Sequence, residues 1–204
     1  MKQLIALLHR HGETTLNANN AFRSRMDPPL NEVGIKQAEA AADFLGRYDL
    51  ERIVTSPMLR AWQTSMLVRR DFPHIPIIQD RSLMPWDLGF MAGCDRDLYA
   101  DILNFYVEHP GKQIPDGEAL DQLKQRTEQF FCEEFERDEG LTCYVCHTSN
   151  IITLSNLLNG TSELKPDQGE AVGPGGVLAV WQGSKGLEVE PIYGQAKPAE
   201  LGVS

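Results

Sequence analysis

Apolar positions along this chain follow two different periods that take turns. The continuous run Leu4-Ile5-Ala6-Leu7-Leu8 predicts a buried strand over about Lys2 to Leu8. From Asn31 to about Tyr48 the spacing becomes helical, with Val33, Ala38, Ala41, Phe44 and Leu45 on one side and Asn31 as N-cap. Ile53-Val54-Thr55 reads as a short buried strand. Pro57 then opens a helix through Ala61 and Thr64 to about Val68, before Pro73 and Pro76 break the pattern. Ile75 to Ile78 is a weaker strand. Further on, the pattern predicts a helix from Glu118 to about Arg137, a strand from Thr142 to Cys146 and a helix from Ser149 to about Leu158. Two strands close the pattern, Val177 to Trp181 behind the stretch Gly173-Pro174-Gly175-Gly176, and Leu187 to Ile192.

Alternating strands and helices predict an α/β domain with a largely parallel sheet. The irregular stretch from Asp80 to Pro115, with one helix expected from Asp95 to about Val107, reads as an inserted cap. Residues 1–194 are expected to form one unit and 195–204 a tail, because apolar periodicity stops there.

Composition narrows the partners. With 204 residues and 42% hydrophobic content the chain can bury a sizeable core without staples. Nineteen basic against twenty-nine acidic residues give a formal charge of −10, which argues against nonspecific binding to nucleic acid or to an anionic membrane. An anionic substrate must therefore meet a local basic pocket. The N-terminal apolar run is too short for a secretory core and no run has membrane length, so the default location is cytoplasmic. Cys94, Cys132, Cys143 and Cys146 fit reduced thiols. In the strand-like Cys143-Tyr144-Val145-Cys146 the two thiols face opposite ways and no second pair completes a zinc site, so they read as core, with no metal expected.

The candidate chemistry sits where strands end. Arg10-His11-Gly12-Glu13-Thr14 follows the first strand and sets a guanidinium fork beside an imidazole, a pairing suited to phosphate oxygens and to nucleophilic or acid–base work. Thr55-Ser56-Pro57 through Arg60 and Cys146-His147-Thr148-Ser149 repeat that placement at later strands. Ligands of open α/β sheets bind beyond the carboxyl ends of the strands, so Arg10, His11, Arg60 and His147 are expected to converge on one anion.

These motifs, in this order, resemble the histidine phosphatase superfamily, in its phosphoglycerate mutase-like branch. Arg10-His11-Gly12-Glu13-Thr14 with Asn17 is similar to the N-terminal signature, and Leu30-Asn31-Glu32-Val33-Gly34 with Gln37-Ala38 to the next segment. Thr55-Ser56-Pro57-Met58-Leu59-Arg60-Ala61 with Gln63-Thr64 resembles the stretch carrying the second arginine. Pro115-Asp116-Gly117-Glu118-Ala119 with Arg126 resembles the Pro-x-Gly-Glu-Ser stretch, and His147 falls where a second histidine is expected. The resemblance implies a three-layer α/β/α sandwich around a mostly parallel mixed sheet with a small cap insertion. It implies that His11 attacks phosphorus and becomes transiently phosphorylated, without metal or other cofactor, while Arg10, Arg60 and His147 hold the equatorial oxygens and Asn17 helps at the pocket edge. His11 must be neutral to attack; a protonated His147 would serve the phosphate, and Glu13 or a backbone carbonyl would orient His11.

One departure concerns the proton donor. The family places a glutamate two residues after a leucine ahead of a glycine, and here Leu83-Met84-Pro85 has proline there. Asp87, in Trp86-Asp87-Leu88-Gly89, becomes the candidate general acid, although two positions along an extended chain are roughly 6.5 Å. Thr148 stands where the acid-phosphatase branch has an aspartate; with Asn17, Glu13 and Arg23 it completes the candidate substrate-binding set. The expected activity is hydrolysis of a small phosphomonoester. Mutase-type phosphoryl transfer and a binding module for a phosphorylated ligand are the alternatives; the substrate and the oligomeric state stay open.

Overall fold

A computed structural model of the chain describes residues 2–137, 139–158, 160, 172–184 and 186–195. Strands β1 (Gln3–Arg10), β2 (Arg52–Thr55), β3 (Ile77–Gln79), β4 (Thr142–Cys146), β5 (Val172–Gly183) and β6 (Gly186–Gln195) form one sheet in the order β3-β2-β4-β1-β5-β6. β1, β2, β3 and β4 are parallel, and β5 runs antiparallel to both β1 and β6. Helices α1 (Thr15–Ala18), α2 (Glu32–Leu45), α3 (Leu59–Asp71), α4 (Ala100–Glu108), α5 (Leu120–Phe135) and α6 (Thr148–Leu158) complete the described elements.

Alternation within each strand builds two separate cores. Ala6, Leu8, Val54, Tyr144, Cys146, Leu178 and Val180 pack with Phe130 and Phe131 of α5 and Ile151 and Leu154 of α6. Their strand neighbours Leu7, Ile53, Cys143, Val145, Val177 and Ala179 pack with Ala41, Ala42 and Leu45 of α2 and Ala61 and Val68 of α3. The sandwich therefore has the three expected layers, and Cys143 and Cys146 lie in opposite cores. Burial raises both thiols, Cys146 to about 12. The stretch after β3 holds α4 and two single 3₁₀ turns, Arg81–Leu83 and Gly89–Met91. It carries a third cluster, in which Phe22, Trp86, Leu88, Met91, Leu103, Tyr106 and Ile114 pack on Leu120 and Leu123 of α5 and Ile152 of α6.

Several boundaries differ from the pattern for local reasons. The cap helix begins at Ala100, because Asp95 Oδ1 accepts from the Asp97 and Leu98 amides and holds those residues in a turn. The helix expected at Pro57 starts at Leu59 behind an extended Met58. The Gly-rich stretch lies inside β5, where the register shifts between Val172 and Val177. Gln195, expected to open the tail, instead closes β6 opposite Val172, and residues 196–204 lie outside the described residues. Among the described residues no helix is long and apolar enough to cross a membrane.

Candidate active site

Three strand ends bring the chemistry together. In β1 and β4 Arg10 faces Cys146, and the His11 amide continues the ladder to the Cys146 carbonyl at 3.1 Å. On the other side of β4, the Ser56 amide donates to the Val145 carbonyl at 2.9 Å. His11, Ser56 and His147 thus leave the sheet side by side, and the N-termini of α3 and α6 point the same way. The rings of His11 and His147 are 5.0 Å apart between centroids.

The loop that carries His11 is fastened to the helix layer backbone to backbone. A Cβ on Gly12 would meet the Gly34 carbonyl oxygen at 2.3 Å, and one on Gly34 would meet the Glu13 carbonyl oxygen at 2.0 Å. Only glycine at both places permits the approach. Motif polar residues tighten it: the Gly12 amide donates to Thr64 Oγ1 (3.1 Å), the Glu13 amide to Gln37 Oε1 (2.8 Å), and the Asn31 amide to the Glu13 carbonyl (3.0 Å).

His11 has one possible tautomer in this setting. Its Nδ1 lies 2.6 Å from the Gly12 carbonyl, which can only accept, so Nδ1 carries the proton. Nε2 is then unprotonated, and its lone pair accepts a hydrogen bond from Arg60 Nε at 3.3 Å. Burial first, then the charges of Arg60, Arg10 and Arg23, hold the His11 pKa well below the ordinary imidazole range. The nucleophile is neutral as required. His147 is held down in the same way, by burial and then by Arg60. Burial and Arg60 thus act against the protonated His147 expected from the sequence. Its Nε2 lies 2.9 Å from Ser56 Oγ, while Nδ1 is buried without a partner.

The cavity beside these rings has a volume of about 120 Å³. Its wall contains His11, Arg60, His147, Thr148 and Arg23 from the expected set, and also Arg96, which no motif marked. Arg60 is 1% exposed; its NH1 and NH2 groups donate to the carbonyls of Met26 (2.7 Å) and Ser24 (2.9 Å), and burial lowers its pKa to about 10. Arg10 stands behind the wall. Its NH1 group donates to the Val172 carbonyl at 2.7 Å, and burial, then Arg96, brings its pKa down to about 10. Arg23 is held well below the ordinary guanidinium range, by burial and then by Arg10, Arg96 and Arg60. Among the described residues the one ion pair made by Arg10, Arg23, Arg60 or Arg96 is that of Arg60 with the exposed Asp27, at 3.8 Å.

Other expected residues are placed elsewhere. Asn17 caps α1, its Oδ1 accepting from the Thr14 amide at 3.0 Å, and Glu13 Oε1 accepts from Asn31 Nδ2 at 2.8 Å; neither lines the cavity. The Gly12 carbonyl, not Glu13, orients His11. Asp87 is not brought to the cavity either: its carboxylate pairs with Arg25 (3.1 Å) and accepts from the Gly89 amide (3.1 Å), while Pro85 and Trp86 form the wall. Glu118, in the Pro115-Asp116-Gly117-Glu118-Ala119 motif, and its partner Arg126 lock this loop. Glu118 binds the Asp87 amide (3.0 Å) and Arg126 (2.8 Å), and Arg126 donates to the carbonyls of Ser82, Met84 and Pro85.

Known proteins are similar to this chain in sequence and in fold. A 2,3-bisphosphoglycerate-dependent phosphoglycerate mutase of Thermoplasma acidophilum is 30% identical over 151 residues, 72% of each chain. Fructose-2,6-bisphosphatase TIGAR of Xenopus tropicalis is 31% identical over 140 residues, 64% of this chain and 50% of its own. The chain spans less still of a bifunctional protein of Mycobacterium tuberculosis, 34% of its length. Among solved structures, a mycobacterial glucosyl-3-phosphoglycerate phosphatase superposes with a TM-score of 0.77 at 22% identity, covering 96% of this chain and all of that one. An α-ribazole phosphatase of Shigella flexneri gives 0.75 at 24% identity, over 96% and 98%. The family model described as histidine phosphatase superfamily (branch 1) matches residues 6–178, and the chain belongs to that superfamily.

Proposed function

We propose that this chain is a phosphatase that hydrolyses small phosphomonoesters through a phosphohistidine on His11, without a metal. Nε2 of His11 attacks phosphorus, an N–P bond forms as the bond to the leaving oxygen breaks, and water then cleaves the N–P bond to release inorganic phosphate. Arg60 and His147 supply charge and donors to the transferred group and Arg10 adds positive charge from behind the wall, with Arg23 and Thr148 at its edge. The single observation that carries this reading is the His11 lone pair, fixed by the Gly12 carbonyl and aimed at Arg60. Fixed guanidinium charge does for the developing oxyanions what a metal ion does elsewhere. Residues 80–115 act as the cap of one unit that runs through Gln195 at the end of β6. A cytoplasmic setting fits the buried, unpaired Cys143 and Cys146.

Wild-type protein should turn over p-nitrophenyl phosphate, while His11→Ala should lose roughly 10⁴-fold or more of kcat. Equal turnover by the variant removes the reading. Mutase-type transfer is the second reading, favoured by Arg23 and Arg96 in the wall, which suit a substrate with two anionic groups. Incubation with 3-phosphoglycerate and 2,3-bisphosphoglycerate separates the two: inorganic phosphate marks the phosphatase, 2-phosphoglycerate the mutase.

A further inference from the structure

The cavity wall holds a proline, Pro85, at the chain position where the family resemblance puts a proton-donating glutamate. Charge builds on the leaving oxygen as its bond to phosphorus loosens, and a positioned acid that protonates it contributes roughly 10²–10⁴-fold. Pro85 cannot do so, and its place in the wall is fixed by Arg126, whose NH1 group donates to the Ser82 and Met84 carbonyls at 2.7 Å and whose NH2 group donates to Pro85 itself at 3.0 Å. Asp87 is turned toward Arg25 and Gly89. Among the described residues no carboxylate lines the cavity. The hydroxyls present are weak acids: Ser24 accepts from the Leu88 amide (2.8 Å) and donates to the Asp87 carboxylate (3.4 Å), and Ser149 accepts from the Trp86 amide (3.1 Å).

What the wall offers instead is positive charge beyond Arg60. Arg23 and Arg96 both line the cavity, neither makes an ion pair among the described residues, and the Arg96 guanidinium sits 6.0 Å from the centroid of the Phe22 ring in the same wall. Guanidinium groups do not give up protons at working pH, but they stabilise an oxyanion.

We propose that Arg23 and Arg96 stand in for the missing acid, and that the preferred substrate is a small phosphoryl anhydride, an acyl phosphate or a diphosphate. The inference rests on the phosphatase reading and narrows it, since alkyl monoesters become the poorest class. In the first step Nε2 of His11 bonds to phosphorus and the bridging P–O bond breaks. Its electron pair stays on a carboxylate or phosphate oxygen, which leaves as a weakly basic anion between the two guanidiniums, and no proton moves. In the second step water supplies the oxygen to phosphorus and one proton is released as the N–P bond breaks. A cavity of about 120 Å³ favours a small body over a nucleotide-sized one.

The test is a leaving-group series: acetyl phosphate, inorganic pyrophosphate, p-nitrophenyl phosphate and glycerol 1-phosphate. The better of the two anhydrides should exceed glycerol 1-phosphate in kcat/KM by roughly 100-fold or more, because no acid levels the series. It also identifies which leaving anion the site takes. Glycerol 1-phosphate within about tenfold of that anhydride overturns the inference, since a proton must then reach the leaving oxygen. Arg23→Gln and Arg96→Gln should each cost the anhydride about tenfold more than they cost p-nitrophenyl phosphate. Equal losses on both substrates overturn the assigned role. A flat series with an acid-labile phosphoenzyme still trapped sinks this inference alone, whereas absence of that phosphoenzyme sinks the phosphatase reading as well.

Discussion

The two ends of the sheet both bury arginine, and they treat its charge in opposite ways. At the N-terminal ends of β2 and β4, Arg52 is 5% exposed and fully answered: its NH2 group meets Glu134 at 2.7 Å, NH1 meets Glu139 at 2.5 Å and Nε donates to Thr142 Oγ1 at 2.8 Å. The Tyr144 hydroxyl donates to the same Glu134 carboxylate at 3.1 Å. At the C-terminal ends the buried Arg10 and Arg60, the half-buried Arg23 and the exposed Arg96 crowd together with one distant, exposed carboxylate among them. A neutralised pair is a structural choice, whereas charge of one sign gathered around two buried guanidiniums costs stability and persists where an anion must bind. The contrast says which end does the chemistry without reference to any motif.

Breaking the compensated end should have the largest effect. Glu134→Ala leaves Arg52 buried without its main partner and should cost about 3–5 kcal/mol in denaturant unfolding. Activity per folded molecule should hold, because the change is at the far end of the sheet. An unchanged midpoint would erase the distinction between the two ends.

Acid tests the site end next. His9, His11 and His147 all have folded pKa values lowered chiefly by burial, His9 to about 4. The unfolded chain takes up protons first, near pH 6.5, so the stability these neutral rings confer is complete above that pH and is lost as pH falls below it. His9 alone should cost roughly 3 kcal/mol by pH 4. Unfolding free energy that stays level between pH 7 and pH 5 would contradict the burial of these rings. The same depression predicts no loss of kcat near pH 6.5 from protonation of His11.

The smallest effect sharpens the comparison by its sign. Arg23→Met removes one unanswered charge and should raise stability by about 1 kcal/mol while lowering kcat/KM. A loss of stability would show that Arg23 is compensated after all.

Much of this molecule is legible in single segments. Thr142–Cys146 is the strand that its run of apolar residues predicts, end to end. Asn31 caps α2, its side chain accepting from the Gly34 amide, because an N-cap is chosen by residues within one turn of it. The opposite faces of Cys143 and Cys146 follow from the two-residue period alone. His11, Arg60 and His147 were legible because each follows a strand end. Neither Asn17 nor Glu13 lines the cavity: sequence nearness to His11 says nothing about direction, and both side chains turn to cap and brace the loop.

Arg96 and the roles of Pro85, Glu118 and Arg126 needed the tertiary structure, for a physical reason. Period and capping are set by neighbours along the chain, so the order of strands, the two-faced core and the strand-end chemistry are written locally. Which charges go unanswered is decided by what the folded chain brings within a few ångströms. Arg96 belongs to a turn without periodicity, and it reaches the His11 cavity only because the cap segment packs through Phe22, Trp86 and Leu103 onto α5 and α6.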